Sequence, residues 1–175
     1  VSEPRQLSHS EYRTWKSCKR RWYLTYYRKL ITRTEDEPVV GSRDLGNRVH
    51  LALEARYGYG IDPIQALSVI YADLIEANES HAHELGLERA YAMTMVKGYL
   101  DWAAESGMDA EYEVIGTEAD VSVPFTVGEL EIRLRGRLDQ VVRRRGGDEA
   151  VLFRDFKTVG TLLKSTELIR DEQMR

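Results

Sequence analysis

The chain has 175 residues, 42% hydrophobic and 31% charged. That balance excludes a wholly disordered polypeptide and suffices for one domain burying roughly two thirds of its unfolded surface. No apolar run reaches the ~18 residues of a membrane span, and the first residues lack the layout of a secretion signal, so a cytoplasmic protein with no membrane partner is expected. The single cysteine, Cys18, forbids an internal disulfide and any self-contained four-cysteine zinc or iron–sulfur site. Net charge is −4, unevenly spread: residues 1–33 hold nine basic residues against Glu3 and Glu11, or +7, which leaves −11 to the remainder. A basic surface beside an acidic body suits a protein whose carboxylates a polyanion must approach.

Ser8 and Glu11 have capping-box spacing, which predicts a helix from Ser8 to Lys29. Tyr12, Trp15, Trp22, Tyr23 and Tyr26 follow at helical spacing and are expected to be mostly core, with the Lys and Arg residues on the other face. A second helix is expected from Ser42 to Gly58. A third starts at the Asp62-Pro63 cap and runs to the region of His81, and a fourth runs from Leu87 to Gly107. Alternation then replaces the helical period: a strand within Tyr112–Val127, a turn at Gly128-Glu129, a strand over Leu130–Val142, a reversal at Gly146-Gly147 and a strand over Val151–Phe156. From Ser165 the pattern is again helical and is cut at Arg175 without a stop signal, so the chain is expected to be C-terminally truncated. The whole reads as one domain over 1–175, mainly helical over 1–107 and sheet over 108–175, of mixed α+β (α/β) class with an antiparallel meander.

The chemistry concentrates at the last hairpin. Gly136-Arg137-Leu138-Asp139 lies on one arm and Arg154-Asp155-Phe156-Lys157 on the other, and Asp is unfavourable in a strand. If Arg145 pairs with Glu149 around a three-residue loop, Asp139 falls opposite Asp155 on one face; a two-residue loop puts them on opposite faces. The odd loop is the expectation. Lys157, two residues beyond Asp155, then shares that face. Two carboxylates ~4.5 Å apart repel by about 4 kcal/mol at an effective dielectric of ~20, and one lysine offsets only part of it. A divalent cation resolves the remainder; Mg²⁺ fits an oxygen donor set, and Mn²⁺ fits also if an imidazole joins. Taken alone, Asp-x-Lys is a common surface ion pair, and a lone helical histidine such as His50 is ordinarily structural.

The wider pattern resembles the PD-(D/E)XK nucleases, more narrowly their RecB-like nuclease-domain branch, which includes the CRISPR-associated four-cysteine exonucleases and phage relatives. Gly136-Arg137-Leu138-Asp139 followed by Asp155-Phe156-Lys157-Thr158 is similar to the family core. Gly46-Asn47-Arg48-Val49-His50 with Leu53-Glu54 is similar to its G-x-x-x-H-x-x-x-E helix. Leu7-Ser8-His9-Ser10 and Cys18-Lys19-Arg20-Arg21-Trp22-Tyr23-Leu24 look like its N-terminal segments, with Lys19 where the family has proline. Gln173 stands where the Q-x-x-x-Y helix begins.

The resemblance implies a restriction-endonuclease-like core with a central mixed sheet. It also implies His50, Asp139 and Asp155 as metal ligands, the Phe156 carbonyl as a further one, and Lys157 as the catalytic lysine beside Asp139 and Asp155. The implied activity is a metal-dependent phosphodiesterase: a deoxyribonuclease, in its commonest form an exonuclease on DNA ends or single strands, serving recombination, repair or phage DNA processing. A catalytically inactive DNA-binding module of the same fold, working with a helicase or recombination partner, is the competing reading. Cys18 would join a 4Fe-4S cluster only with cysteines lying outside this chain; otherwise it is a buried thiol. Lys16, Lys19, Arg20, Arg28 and Lys29 are candidates for phosphate contact, with Arg137 and its arginine neighbours as a second patch and Gln173 as a further contact. Glu54 and Glu118 are each either near the metal or simply solvent-facing acids.

Overall fold

The computed structural model describes residues 4–30, 39–147 and 150–159; the expected C-terminal helix and Gln173 lie outside them. In chain order the elements are β1 (Arg5–Ser8), α1 (His9–Ser17), α2 (Lys19–Trp22), a π-helical turn (Tyr23–Tyr27), α3 (Ser42–Tyr59), α4 (Pro63–Ala77), a 3₁₀ turn (Glu79–His81), α5 (Ala82–Ser106), α6 (Met108–Glu111), β2 (Tyr112–Val127), β3 (Leu130–Arg144) and β4 (Val151–Arg154). This is the mixed α+β class expected. The sheet has four strands with β3 at its centre: β2 is one neighbour, β1 pairs with β3 in parallel and β4 pairs with it antiparallel. The backbone contacts separate two compact units, one including residues 4–30 and Asp120–Arg137, the other including residues 39–119 and 138–158.

In the first unit, β1 lies in register with β3 from Arg5 opposite Ile132 to Ser8 opposite Arg135. Ser8 caps α1 by accepting the Glu11 amide at 3.1 Å, as its spacing predicts. The capping box stays half made, because the buried Glu11 carboxylate turns instead to Arg5 (2.8 Å) and the Trp22 indole (2.9 Å). One continuous helix to Lys29 is a corrected expectation. Cys18 is extended (φ −153°, ψ 104°), ends α1, and its Sγ accepts the Arg21 amide at 3.5 Å to start α2. The chain then widens into a π turn, with the Arg28 amide donating to the Tyr23 carbonyl at 2.9 Å. The break and the widened turn change the phase of the helix, so the aromatics do not fall on one buried stripe. Tyr12, Trp15, Tyr23 and Tyr27 are exposed, contrary to the core expected of this stretch.

The second unit has its core between three helices: Val49, Ala52 and Leu53 of α3, Leu67 and Tyr71 of α4, and Leu85, Ala92 and Val96 of α5. α4 starts as expected, Asp62 Oδ1 accepting the amides of Ile64 (2.7 Å) and Gln65 (3.1 Å) before Pro63 opens the first turn. α3 and α5 both end on left-handed glycines, Gly60 (φ +68°) and Gly107 (φ +69°). α5 begins five residues before the expected Leu87, because Leu85 continues its buried face. Under the N-terminal end of α3, Arg48 pairs with the buried Glu88, whose carboxylate also accepts the Tyr71 hydroxyl (2.9 Å) and the Gly41 amide (3.2 Å). The Arg48 guanidinium also donates to the Val39 carbonyl at 2.8 Å. With both carboxylate oxygens so engaged the ion pair is tolerated, while losing one charged partner costs about 3–5 kcal/mol.

Two glycines bring α3 close to the side chains of two threonines. A Cβ on Gly46 would stand 2.8 Å from Thr158 Oγ1, and one on Gly58 would stand 2.8 Å from Thr117 Oγ1. Both lie under the approach of real carbon contacts. His50 sits one turn after Gly46, so its position follows from this close packing.

Candidate metal centre and active site

The strand register decides whether the two aspartates meet. β3 and β4 pair with Gln140 opposite Arg154, Val141 opposite Phe153, Val142 opposite Leu152 and Arg143 opposite Val151. Continued by one pair, that register carries Asp139 opposite Asp155, the arrangement the odd loop predicts. An Asp is tolerated here because the strand pairing ends: β4 stops at Arg154 and the next amide, Phe156 N–H, donates to Asp139 Oδ2 at 2.6 Å. Charge assistance makes such a bond short.

His50, from the middle of α3, faces the same oxygen, its Nδ1 3.6 Å from Asp139 Oδ2. Glu118 of β2 joins them. The ligand atoms of His50, Glu118 and Asp139 all lie within 4.8 Å of one another, and all three residues are half-buried. Glu118 has φ +47°, the left-handed region that non-glycine residues rarely enter, and it does so inside a strand. Such a local break re-aims a side chain that regular alternation would direct elsewhere. Nothing in the residue sequence marks a left-handed glutamate, so Glu118 was legible only as an acid that strand geometry could bring near. Glu54, the other acid weighed, does not enter this group. One imidazole nitrogen and two carboxylates form a donor set suited to a divalent cation. Their partial burial also favours one, since two carboxylates this close repel by about 3 to 4 kcal/mol at an effective dielectric of ~20.

Asp155 stands apart from that group. Its carboxylate holds Lys157 Nζ at 2.8 Å and 3.0 Å, the shared face expected of Asp-x-Lys. Between them Phe156 turns the other way. Its ring lies edge-on to His50 (6.1 Å between centroids) and Tyr99 (5.5 Å) and stacks on Tyr57 (6.4 Å). The half-buried phenyl, packed against the helical core, anchors the segment, and alternation presents both charged neighbours outward. Behind the anchor, the Tyr57 hydroxyl is 3.0 Å from both Asp109 oxygens and 3.1 Å from the Tyr99 hydroxyl. Burial, the Tyr99 hydroxyl and the Asp109 carboxylate push the Tyr57 phenol well above its ordinary range.

The remaining candidates are spread along the first unit. Lys16, Lys19, Arg20, Arg28 and Lys29 are exposed, and Lys19 Nζ lies 4.8 Å above the Trp15 ring. Arg137 pairs with Asp120 at 3.2 Å. Cys18 is exposed, which corrects the buried-thiol expectation; its sulfur caps α2 instead. It is the only cysteine in the sequence, so the chain by itself cannot complete an iron–sulfur cluster. No helix among the described residues is long and apolar enough to cross a membrane.

Compared with known proteins, no individual curated protein matches the chain. The sequence model of the PD-(D/E)XK nuclease superfamily matches it over residues 6–175.

Proposed function

Because the chain belongs to the PD-(D/E)XK nuclease superfamily, we propose that it is a Mg²⁺- or Mn²⁺-dependent deoxyribonuclease. In this reading it works as an exonuclease on DNA ends or single strands, within the intracellular processing of DNA in recombination, repair or phage replication. The observation that carries the reading is the convergence of His50 Nδ1 on Asp139 Oδ2 at 3.6 Å, beside the Asp155–Lys157 pair. His50, Glu118 and Asp139 would hold the cation; Asp155, which is paired with Lys157 outside that group, and the Phe156 carbonyl are the further ligands that the family pattern implies. When bound, the ion supplies water activation at neutral pH and neutralises charge that builds on the phosphoryl group.

The protein's own groups do the rest. Lys157 offers its ammonium to the attacked phosphate and orients the water, while Asp155 keeps that ammonium in place. The water oxygen bonds to phosphorus and the ester P–O bond breaks, leaving a phosphomonoester and an alcohol that takes up a proton. No covalent enzyme intermediate is needed. The exposed Lys and Arg residues of residues 4–30 bind the phosphate backbone without reading sequence.

End-labelled linear single- and double-stranded DNA, with a closed circular control, tests this. Degradation of the linear strands with Mg²⁺ or Mn²⁺ is expected, with the circle intact, and a fall of about 100-fold or more in both Asp155→Ala and Lys157→Ala. Undiminished degradation by both variants sinks the assignment; cutting of the circle makes the enzyme an endonuclease.

A further inference from the structure

Residues 4–30 carry eight Lys or Arg residues and a single acid, Glu11, which is buried against Arg5 and Trp22. Every exposed charged side chain of this segment is therefore basic. On that surface lie aromatic rings that a packed helix would hide: Trp15 is 44% exposed, Tyr23 41% and Tyr27 65%. They are ordered relative to one another. Lys19 Nζ sits 4.8 Å over the Trp15 ring. Tyr23, one turn beyond Lys19 across α2 and into the π turn, stacks on Tyr27 with centroids 5.2 Å apart and planes 19° from parallel. Lys19 on Trp15 and Tyr23 on Tyr27 thus form two ordered stacks that succeed one another along the segment, an exposed stripe of rings on either side of the break at Cys18. The π turn holds the last two rings stacked and exposed, where Tyr23 was expected in a core.

We infer that this stripe is a stacking track for the unpaired bases of a single nucleic-acid strand. The inference rests on the nucleic-acid reading above and adds a surface to it. An apolar partner protein would not call for cations among the rings, whereas exposed rings with the exposed Arg20 and Arg28 in the same segment match what a strand presents: a π-face on every base and a charge on every phosphate. Duplex DNA, whose bases are stacked on one another along its length, offers this surface phosphates and at most the face of a terminal pair. The track therefore selects single strands, without preference for base identity.

The test separates bases from phosphates. Binding of a fluorescent oligothymidylate and of an abasic strand of equal length is measured by anisotropy in EDTA, where neither is cut. The base-bearing strand is expected to bind about tenfold more tightly or better. Trp15→Ala and Tyr27→Ala should each lose several-fold on that strand and nothing on the abasic one, with Trp15→Phe retaining most of the affinity. Equal binding of the two strands, no binding of either, or indifference to both alanine variants overturns the inference. So does a self-association, seen by sedimentation, that Trp15→Ala abolishes, since a second copy would then be what the rings meet. Metal-dependent cleavage of duplex without selective strand binding leaves the nuclease reading standing and removes the track. Selective binding with no cleavage under any divalent metal does the reverse.

Discussion

Asp139 Oδ2 accepts the Phe156 amide and faces His50 Nδ1, so one oxygen serves both the fold and the proposed metal. The two roles separate on substitution. Asp139→Asn keeps an acceptor for the amide, so its melting temperature should stay close to that of the parent, while Mn²⁺ affinity by titration calorimetry falls about tenfold or more through the lost charge. Asp139→Ala removes the acceptor too and should cost a further ~1–3 kcal/mol of stability, the range for a buried donor left unpaired. If Asn and Ala variants melt alike, the Phe156 bond contributes nothing and the anchor of the segment is its ring alone. Glu118→Gln tests the third ligand. It should weaken Mn²⁺ binding to a similar degree; unchanged binding excludes Glu118 from the ligand set.

Among the elements, α3 carries the greatest constraint, because both of its close approaches depend on absent side chains. Alanine for Gly46 would gain about 1 kcal/mol of helix propensity. The 2.8 Å approach of its Cβ to Thr158 Oγ1 should cost more, about 1–3 kcal/mol as overpacking does. Urea unfolding of Gly46→Ala is expected to show a net loss, recovered when Thr158→Ala is added. A single variant more stable than its parent would mean that the helix can move away from Thr158. The glycine of the Gly-x-x-x-His spacing is thereby explained by packing.

The same scale shows what the sequence discloses and what it does not. Ser8 and Asp62-Pro63 announce themselves through local chemistry, whereas Gly146-Gly147 marks the hairpin without choosing between a two- and a three-residue loop, and the Asp139–Asp155 register is decided by the strand pairing. β1 is four residues long, and its partner is more than a hundred positions away, so no local period reveals it. Cys18 breaks a helix without being a known breaker, and the exposure of Trp15 and Tyr27 depends on that break. The His50–Asp139 approach was legible because histidine, glycine and aspartate recur at family spacing; Glu118 needed the backbone.

Over the whole molecule, charge and buried phenols set the range of pH in which the fold persists. Burial raises the Tyr57, Tyr71 and Tyr99 phenols above their ordinary 10.0, reinforced at Tyr57 by Tyr99 and Asp109 and at Tyr71 by Glu88. Raised folded values favour the neutral form in the native state. Their contribution is therefore complete below about pH 10, where the unfolded chain also keeps its protons, and is lost as pH climbs beyond it. Alkaline titration followed by tyrosinate absorbance should show three of the ten tyrosines ionising only with the loss of helical circular dichroism. Their ionisation ahead of unfolding would contradict the burial. At the acid end the exposed Glu113, lowered by its bond to Arg143, acts in the opposite sense and weakly, its contribution fading as pH falls.

Glu118 offers a last consequence. A glutamate held at φ +47° stores about 1–3 kcal/mol of conformational strain, which glycine would relieve at an entropic cost of roughly 0.5–1 kcal/mol in a strand. Selection for heat resistance alone would then drift toward Glu118→Gly and a hardier protein whose candidate metal group has lost one carboxylate. Directed evolution of this chain should accordingly screen Mn²⁺ binding alongside thermal tolerance.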